Sequence, residues 1–189
     1  MECDVELPLT DREEPQGSST DHSRIIESAD PDARWLKKGN RFHFGYKGFV
    51  TVEGRHGFIR GVHVTPANAS EVKELERAVH EAGKMSSMFA DKGYASQANR
   101  EFLEGQGITD GIMYKASRGR SLDATEKLLN RMISRIRYKV EQCFGTLKRR
   151  FGFSRSRYTT TEKVTSEFYW KAMCFNLLKA ERLLRVNCA

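Results

Sequence analysis

Apolar residues at Leu129, Ile133, Ile136, Val140, Phe144, Leu147 and Phe151 recur at steps of three and four. That spacing predicts one long helix over residues 121–152, with its apolar stripe turned toward a core. A second row runs beside the stripe: Ser134, Arg137, Glu141, Gly145 and Lys148. At about 100° per residue, Arg137, Glu141 and Lys148 fall within roughly 40° of one another, on the rim between core and solvent. Upstream, Arg41–Val52 alternates apolar and polar positions through Phe42, Phe44, Tyr46, Val50 and Val52, which predicts a strand with one buried face. A turn over residues 53–57 and a second strand over residues 58–65 complete an antiparallel hairpin.

A helix follows over residues 71–82, with Val72, Leu75 and Val79 inward, Asn68 or Ser70 as its cap and Gly83 at its end. Residues 84–90 form a short buried strand that stops at Asp91, and Ser96 caps a helix over residues 97–104. Another strand is expected over residues 107–114, and a last helix over residues 163–185 offers Phe168, Met173, Phe175, Leu178 and Leu184 for packing. Strands interleaved with helices mean α/β. Hairpin, helix, buried strand and long helix are in the order expected of part of a ribonuclease H-like domain. Residues 1–32 are different: Pro8, Pro15, a Gly-Ser-Ser-Thr run and many acids show no sustained period, so this acidic segment is expected to be disordered. Residues 33–189 then make one domain.

Charge sharpens the picture. The whole chain carries +7, but residues 1–32 hold ten acidic and two basic residues, a net of −8. Residues 115–157 hold thirteen basic and three acidic residues, a net of +10. A field this lopsided around one helix points to a polyanion, nucleic acid first, against the plainer reading of a solvated basic surface. With 39% apolar and 30% charged residues the composition is that of a globular domain. No apolar run approaches the roughly 20 residues of a membrane span, and the acidic N-terminus lacks the apolar core of a signal peptide. Cys3, Cys143, Cys174 and Cys188 show no Cys-x-x-Cys spacing, and Cys143 and Cys174 read as small buried thiols. A reducing, cytoplasmic setting fits.

Two carboxylates could carry chemistry. Asp91 stands where a buried strand ends, the place where open α/β sheets bind ligands, although turns use aspartate for ordinary reasons too. Glu141 could be a plain i−4 ion pair with Arg137, worth only about 0.3–0.5 kcal/mol. Together they could hold Mg²⁺, a hard ion that prefers oxygen, for in-line phosphoryl displacement. Lys148, about 10 Å further along the helix, is placed to meet a phosphate, and Arg137 to orient Glu141 or touch the backbone of the nucleic acid. His43 and His63 lie on neighbouring predicted strands without a third ligand and read as strand residues. Ser23, Ser121 and Cys143 show no His/Asp partnership, and there is no phosphate-binding glycine loop.

These residues resemble a known family. Arg137-x3-Glu141-x6-Lys148 is similar to the last-glutamate motif, Y-x2-R-x3-E-x6-K, of bacterial insertion-sequence transposases of the DDE class. Phe89-Ala90-Asp91-Lys92-Gly93-Tyr94 resembles their second-aspartate motif. The run from Asp32 to Gly39 with Phe44-Gly45-Tyr46-Lys47, and Arg149-Arg150-Phe151-Gly152, resemble the insertion-sequence-five group. Ser134 replaces the motif's tyrosine, and neither Asp4 nor Asp11 has the context of the family's first aspartate. The resemblance therefore implies the C-terminal portion of a transposase, a ribonuclease H-like sheet lacking its first strand and a metal site lacking one of three carboxylates. It implies Asp91 and Glu141 as catalytic metal ligands for Mg²⁺ or Mn²⁺, with Lys148, Arg137, Arg149 and Arg150 on DNA. The partners implied are double-stranded DNA, as terminal inverted repeats and target, and further copies of the chain in synapsis, within the bacterial nucleoid. Two other readings remain: an inactive DNA-binding remnant that modulates a full-length transposase, and a stand-alone ribonuclease H-like nuclease.

Overall fold

The computed structural model describes residues 2–6 and 29–187. The strands are β1 (Glu2–Glu6), β2 (Arg34–Lys38), β3 (Arg41–Val52), β4 (Ile59–Pro66), β5 (Ser87–Ala90) and β6 (Thr109–Ile112). The helices are α1 (Leu75–Ala82), α2 (Gln97–Gly105), α3 (Ala124–Phe151) and α4 (Thr161–Asn187). Single 3-10 turns, Glu71–Glu74 and Lys92–Tyr94, precede α1 and follow β5.

The fold is mixed α/β, and β3 is its centre. It pairs antiparallel with β1, β2 and β4. Because β1 and β4 both pair with Tyr46 to Phe49, they must lie on opposite edges of β3. The strands β5 and β6 run parallel, joined by α2, and form a separate two-stranded sheet. Among the described residues no ladder joins the two sheets.

The alternation in β3 predicts one buried face, but residues 45–50 are buried without a break. Helices cover both sides. On one face Tyr46, Val50, Val62 and Val64 pack with Phe144 and Leu147 of α3 and Val164, Phe168 and Phe175 of α4. On the other, Phe49 packs with Leu75 and Val79 of α1 and with Ala90, Tyr94, Leu103 and Ile112. Each such side chain withdrawn from water contributes roughly 2 kcal/mol before entropy is counted. Gly48 sits where a Cβ would come within 2.8 Å of the Phe153 ring, so only glycine lets that ring lie on the strand.

Three expectations need correction. The stripe on α3 is buried only in part: Ile133, Phe144 and Leu147 are inside, whereas Leu129 and Ile136 are 37% and 40% exposed. Ile136 faces the gap between the sheets, a cavity of about 410 Å³ lined also by Val50 to Val52, by Ser87 to Ala90 and by Val140. On α4, Phe168 and Phe175 are buried, but Met173, Leu178 and Leu184 face solvent, since one helix face suffices to cover β4. Cys174 is exposed on the same helix, while Cys143 is buried.

The N-terminal expectation also meets differences. Residues 2–6 form β1, and Asp30 is 3% exposed. The Tyr46 hydroxyl donates to Asp30 Oδ1 at 2.6 Å, which with burial pushes the phenol's pKa well up. Asp30 Oδ1 also accepts from the Thr160 N–H, and Asp32 Oδ2 from the Thr161 N–H at 2.8 Å. These carboxylates cap the start of α4, where the helix has unpaired N–H groups. Residues 7–28, most of the segment expected to be disordered, lie outside the described residues.

Two local devices set the long helix and the sheet edge. Asp123 and Glu126 form a reciprocal capping box, so α3 starts at Ala124 rather than at residue 121. Asn176 accepts from the Ile59 N–H at 2.8 Å and donates to its carbonyl at 2.9 Å, closing the outer edge of β4. Leu147→Ala, at a fully buried site, should cost about 2–5 kcal/mol in urea unfolding. Leu177→Ala, 62% exposed on α4, should cost less than about 0.5 kcal/mol in the same measurement.

Candidate active site

The strand β5 ends at Ala90, and the next residue, Asp91, leaves it in extended conformation to cap the following 3-10 turn. Its Oδ1 accepts the Lys92 N–H at 2.6 Å. Its Oδ2 faces α3, where Arg137 Nη2 stands 3.4 Å away. Arg137 was expected on the solvent rim, yet it is 8% exposed. Asp91 and Met113 close over it, with Met113 Sδ 3.1 Å from Nη1. The i−4 pairing between Arg137 and Glu141 is not made; Asp91 takes the guanidinium instead.

Glu141 lies one turn further, about 6 Å along α3. It is exposed and makes no hydrogen bond or ion pair with the described residues. Lys148 is exposed two turns beyond it on the same face. Arg149 and Arg150 do not join that row. At about 100° per residue Arg149 is turned roughly 80° from Glu141. With Lys179 and Arg182 of α4 these two arginines line a separate groove of about 310 Å³ between α3 and α4.

Of the two aspartates weighed for the first position, Asp4 lies in β1 opposite Lys47 in the strand register. Asp11 lies outside the described residues. Among the described residues no three His, Cys, Asp or Glu side chains cluster as a metal site. The donors at hand are the carboxylates of Asp91 and Glu141, which suit a hard ion. Mg²⁺ is commonly held by one or two carboxylates together with waters and substrate phosphates.

Residues 13–177 match the transposase DDE domain. The chain belongs to that family. It is also similar to the transposase for insertion sequence element IS1106 of Neisseria meningitidis serogroup B, at 44% identity over 157 residues. That alignment covers 83% of this chain and 54% of the relative, so the chain spans about half the length of the curated relative it matches. No solved structure matches it. As a DDE transposase domain, whose fold is in general ribonuclease H-like, it accords with the α/β architecture described above. The family acts on DNA and generally uses divalent metal ions. No helix among the described residues is long and apolar enough to cross a membrane.

Three residues behind the site were given no role by the sequence reading. Lys47, Glu71 and Asn99 tie the turn after Asp91 to β3 and to the turn before α1. One signal was present: a lysine between Tyr46 and Gly48-Phe49-Val50, in the middle of the strand. The histidines behave as strand residues: His43 pairs with Leu36 and His63 with Phe49, at opposite ends of β3. The Cys143 thiol is pushed up to about 12 by burial and is inert as a nucleophile.

His63 stacks on Phe49 at 4.6 Å and is 2% exposed. Burial, with the nearby charge of Arg77, lowers its pKa from the ordinary 6.5 to about 4. It stays neutral at pH 7, so its 3.3 Å approach to Glu74 is not an ion pair there. Above pH 6.5 it contributes no pH dependence. Below that value the unfolded chain takes up the proton first, and stability falls until about pH 4. The loss is on the order of 3 kcal/mol. The gap in unfolding free energy between wild type and His63→Gln should change by that amount from pH 7 to pH 4; parallel profiles would contradict it.

Proposed function

We propose that this chain carries the catalytic carboxylates of an insertion-sequence transposase and acts on the ends of its element by phosphoryl transfer. The contact between Arg137 and Asp91 at 3.4 Å carries this reading, because it lays the R-x3-E helix against the end of β5. Asp91 and Glu141 would hold Mg²⁺ or Mn²⁺. A divalent ion bound there would activate a water or a 3′-hydroxyl and stabilise the leaving oxygen. Arg137 steadies Asp91 from beneath and offsets the repulsion between two carboxylates on neighbouring elements. Lys148 meets a phosphate of the strand being cut. Arg149 and Arg150, in the basic groove with Lys179 and Arg182, follow the flanking backbone of double-stranded DNA. Terminal inverted repeats and target DNA in the bacterial nucleoid are the substrates, and synapsis assembles further copies of the chain.

The division of the strands into two sheets supports a further part of the reading. Among the described residues β1 pairs with residues 45–49 of β3 and not with residues 50–52, beside which the cavity lies. A complete first strand would fill that place and bring the third carboxylate. This chain alone is therefore expected to perform little or no strand transfer. A purified 189-residue chain that joins DNA robustly in Mg²⁺ would overturn that statement.

Asp91→Asn and Glu141→Gln should each weaken Mn²⁺ binding at least tenfold in paramagnetic resonance titrations and remove any Mg²⁺-dependent nicking. DNA affinity should stay equal or rise, since a negative charge is lost. Unchanged Mn²⁺ affinity in both variants would leave a DNA-binding remnant as the better description. Lys148→Ala should lower the slope of log affinity against log salt by about 0.9, the contribution of one phosphate contact.

A further inference from the structure

We propose that Lys47 and Glu71 are positioning residues that aim the Asp91 carboxylate, acting through the main chain at Gly93. The proposal rests on Asp91 being a metal ligand, and it names what holds that ligand in place.

Lys47 lies in the doubly covered part of β3 and is 4% exposed. A buried ammonium must be compensated, because the low-dielectric interior penalises an isolated charge. Two partners on the turn before α1 meet it: the Ala69 carbonyl accepts from Nζ at 3.0 Å, and Glu71 Oε1 stands 3.7 Å away. The other oxygen of the same carboxylate points at the turn after Asp91. A Cβ built on Gly93 would lie 1.8 Å from Glu71 Oε2. The carboxylate therefore occupies the space that any side chain at that position would need. Glycine in the Asp-Lys-Gly-Tyr turn thus answers to Glu71, and not to a left-handed backbone.

Asn99 fastens the same two turns from the side. Its Nδ2 donates to the Val72 carbonyl at 2.9 Å and to the Tyr94 carbonyl at 2.7 Å. The turn itself is closed by the Tyr94 N–H on the Asp91 carbonyl at 3.0 Å and the Ala95 N–H on the Lys92 carbonyl at 3.2 Å. A chain of contacts thus runs from β3 through Lys47, Glu71 and Gly93 to the residue whose Oδ2 faces Arg137. Glu71 does not touch the reacting atoms. Its effect reaches them only through where the turn sits.

Amide exchange by NMR on the full chain tests the clamp without any metal. In Lys47→Met the Tyr94 and Ala95 amides should exchange at least tenfold faster, while the Ile59 and Phe153 amides, held elsewhere, change less than about threefold. Gly93→Ala reaches the same contact from the turn side, should give the same selective loss, and serves if Lys47→Met does not fold. Unchanged Tyr94 and Ala95 exchange, or uniform acceleration at all four amides, overturns the proposal. Mn²⁺ titration of the same variants reads the consequence: about tenfold weaker binding is expected in each. Equal Mn²⁺ affinity in wild type and Asp91→Asn sinks the metal assignment separately, and the exchange data still decide the clamp.

Discussion

Six consecutive residues of β3, 45–50, are shut away from water on both sides of the strand. Apolar side chains gain from this, and polar ones lose unless they find partners inside. Three polar side chains here answer that constraint. Tyr46 bonds to Asp30 and so draws the chain upstream of β2 onto the start of α4. Lys47 is met by Ala69 and Glu71, which draws the turn before α1 against the sheet. His63, next to β3 on β4, gives up its charge and stacks on Phe49. The polar contacts that organise the molecule are therefore consequences of covering one strand twice.

The same constraint explains where the candidate site stands. β5 pairs with β6 and shares no ladder with β3, so among the described residues side chains, not backbone pairing, hold it to the β3 sheet. Tyr94, Leu103 and Ile112 fix it to α1 and α2 on one side. Arg137 fixes the end of it to α3 on the other. Asp91 is consequently placed by packing from two directions, next to Ala90 and Arg137, which line the open space that leaves Ile136 accessible.

Much of this was legible in the residues. The hairpin, the cap at Ser96, the glycine that ends α1 and the long basic helix follow from periods of two and of 3.6 and from local capping chemistry. The spacing of Arg137, Glu141 and Lys148 placed them on one face of α3. β2 has no strand period of its own, because Arg34–Lys38 is largely exposed and owes its strand form to pairing with the first part of β3. The extent of burial on α3 and α4 was also misjudged. Periodicity says which face of a helix is apolar, but not how far the neighbouring sheet reaches along it.

By itself the chain determined its element types, its charge asymmetry and the helical row that carries Glu141, since each depends on residues within a few turns of one another. Only the tertiary structure decided that Arg137 is buried and paired with Asp91, forty-six positions away, rather than with Glu141 one turn along. It alone turned Arg149 and Arg150 toward α4 and set Glu71 against Gly93. These are meetings between elements distant in sequence. A local pattern carries no information about them, because which partner a charge finds depends on how helices and strands come to rest around β3.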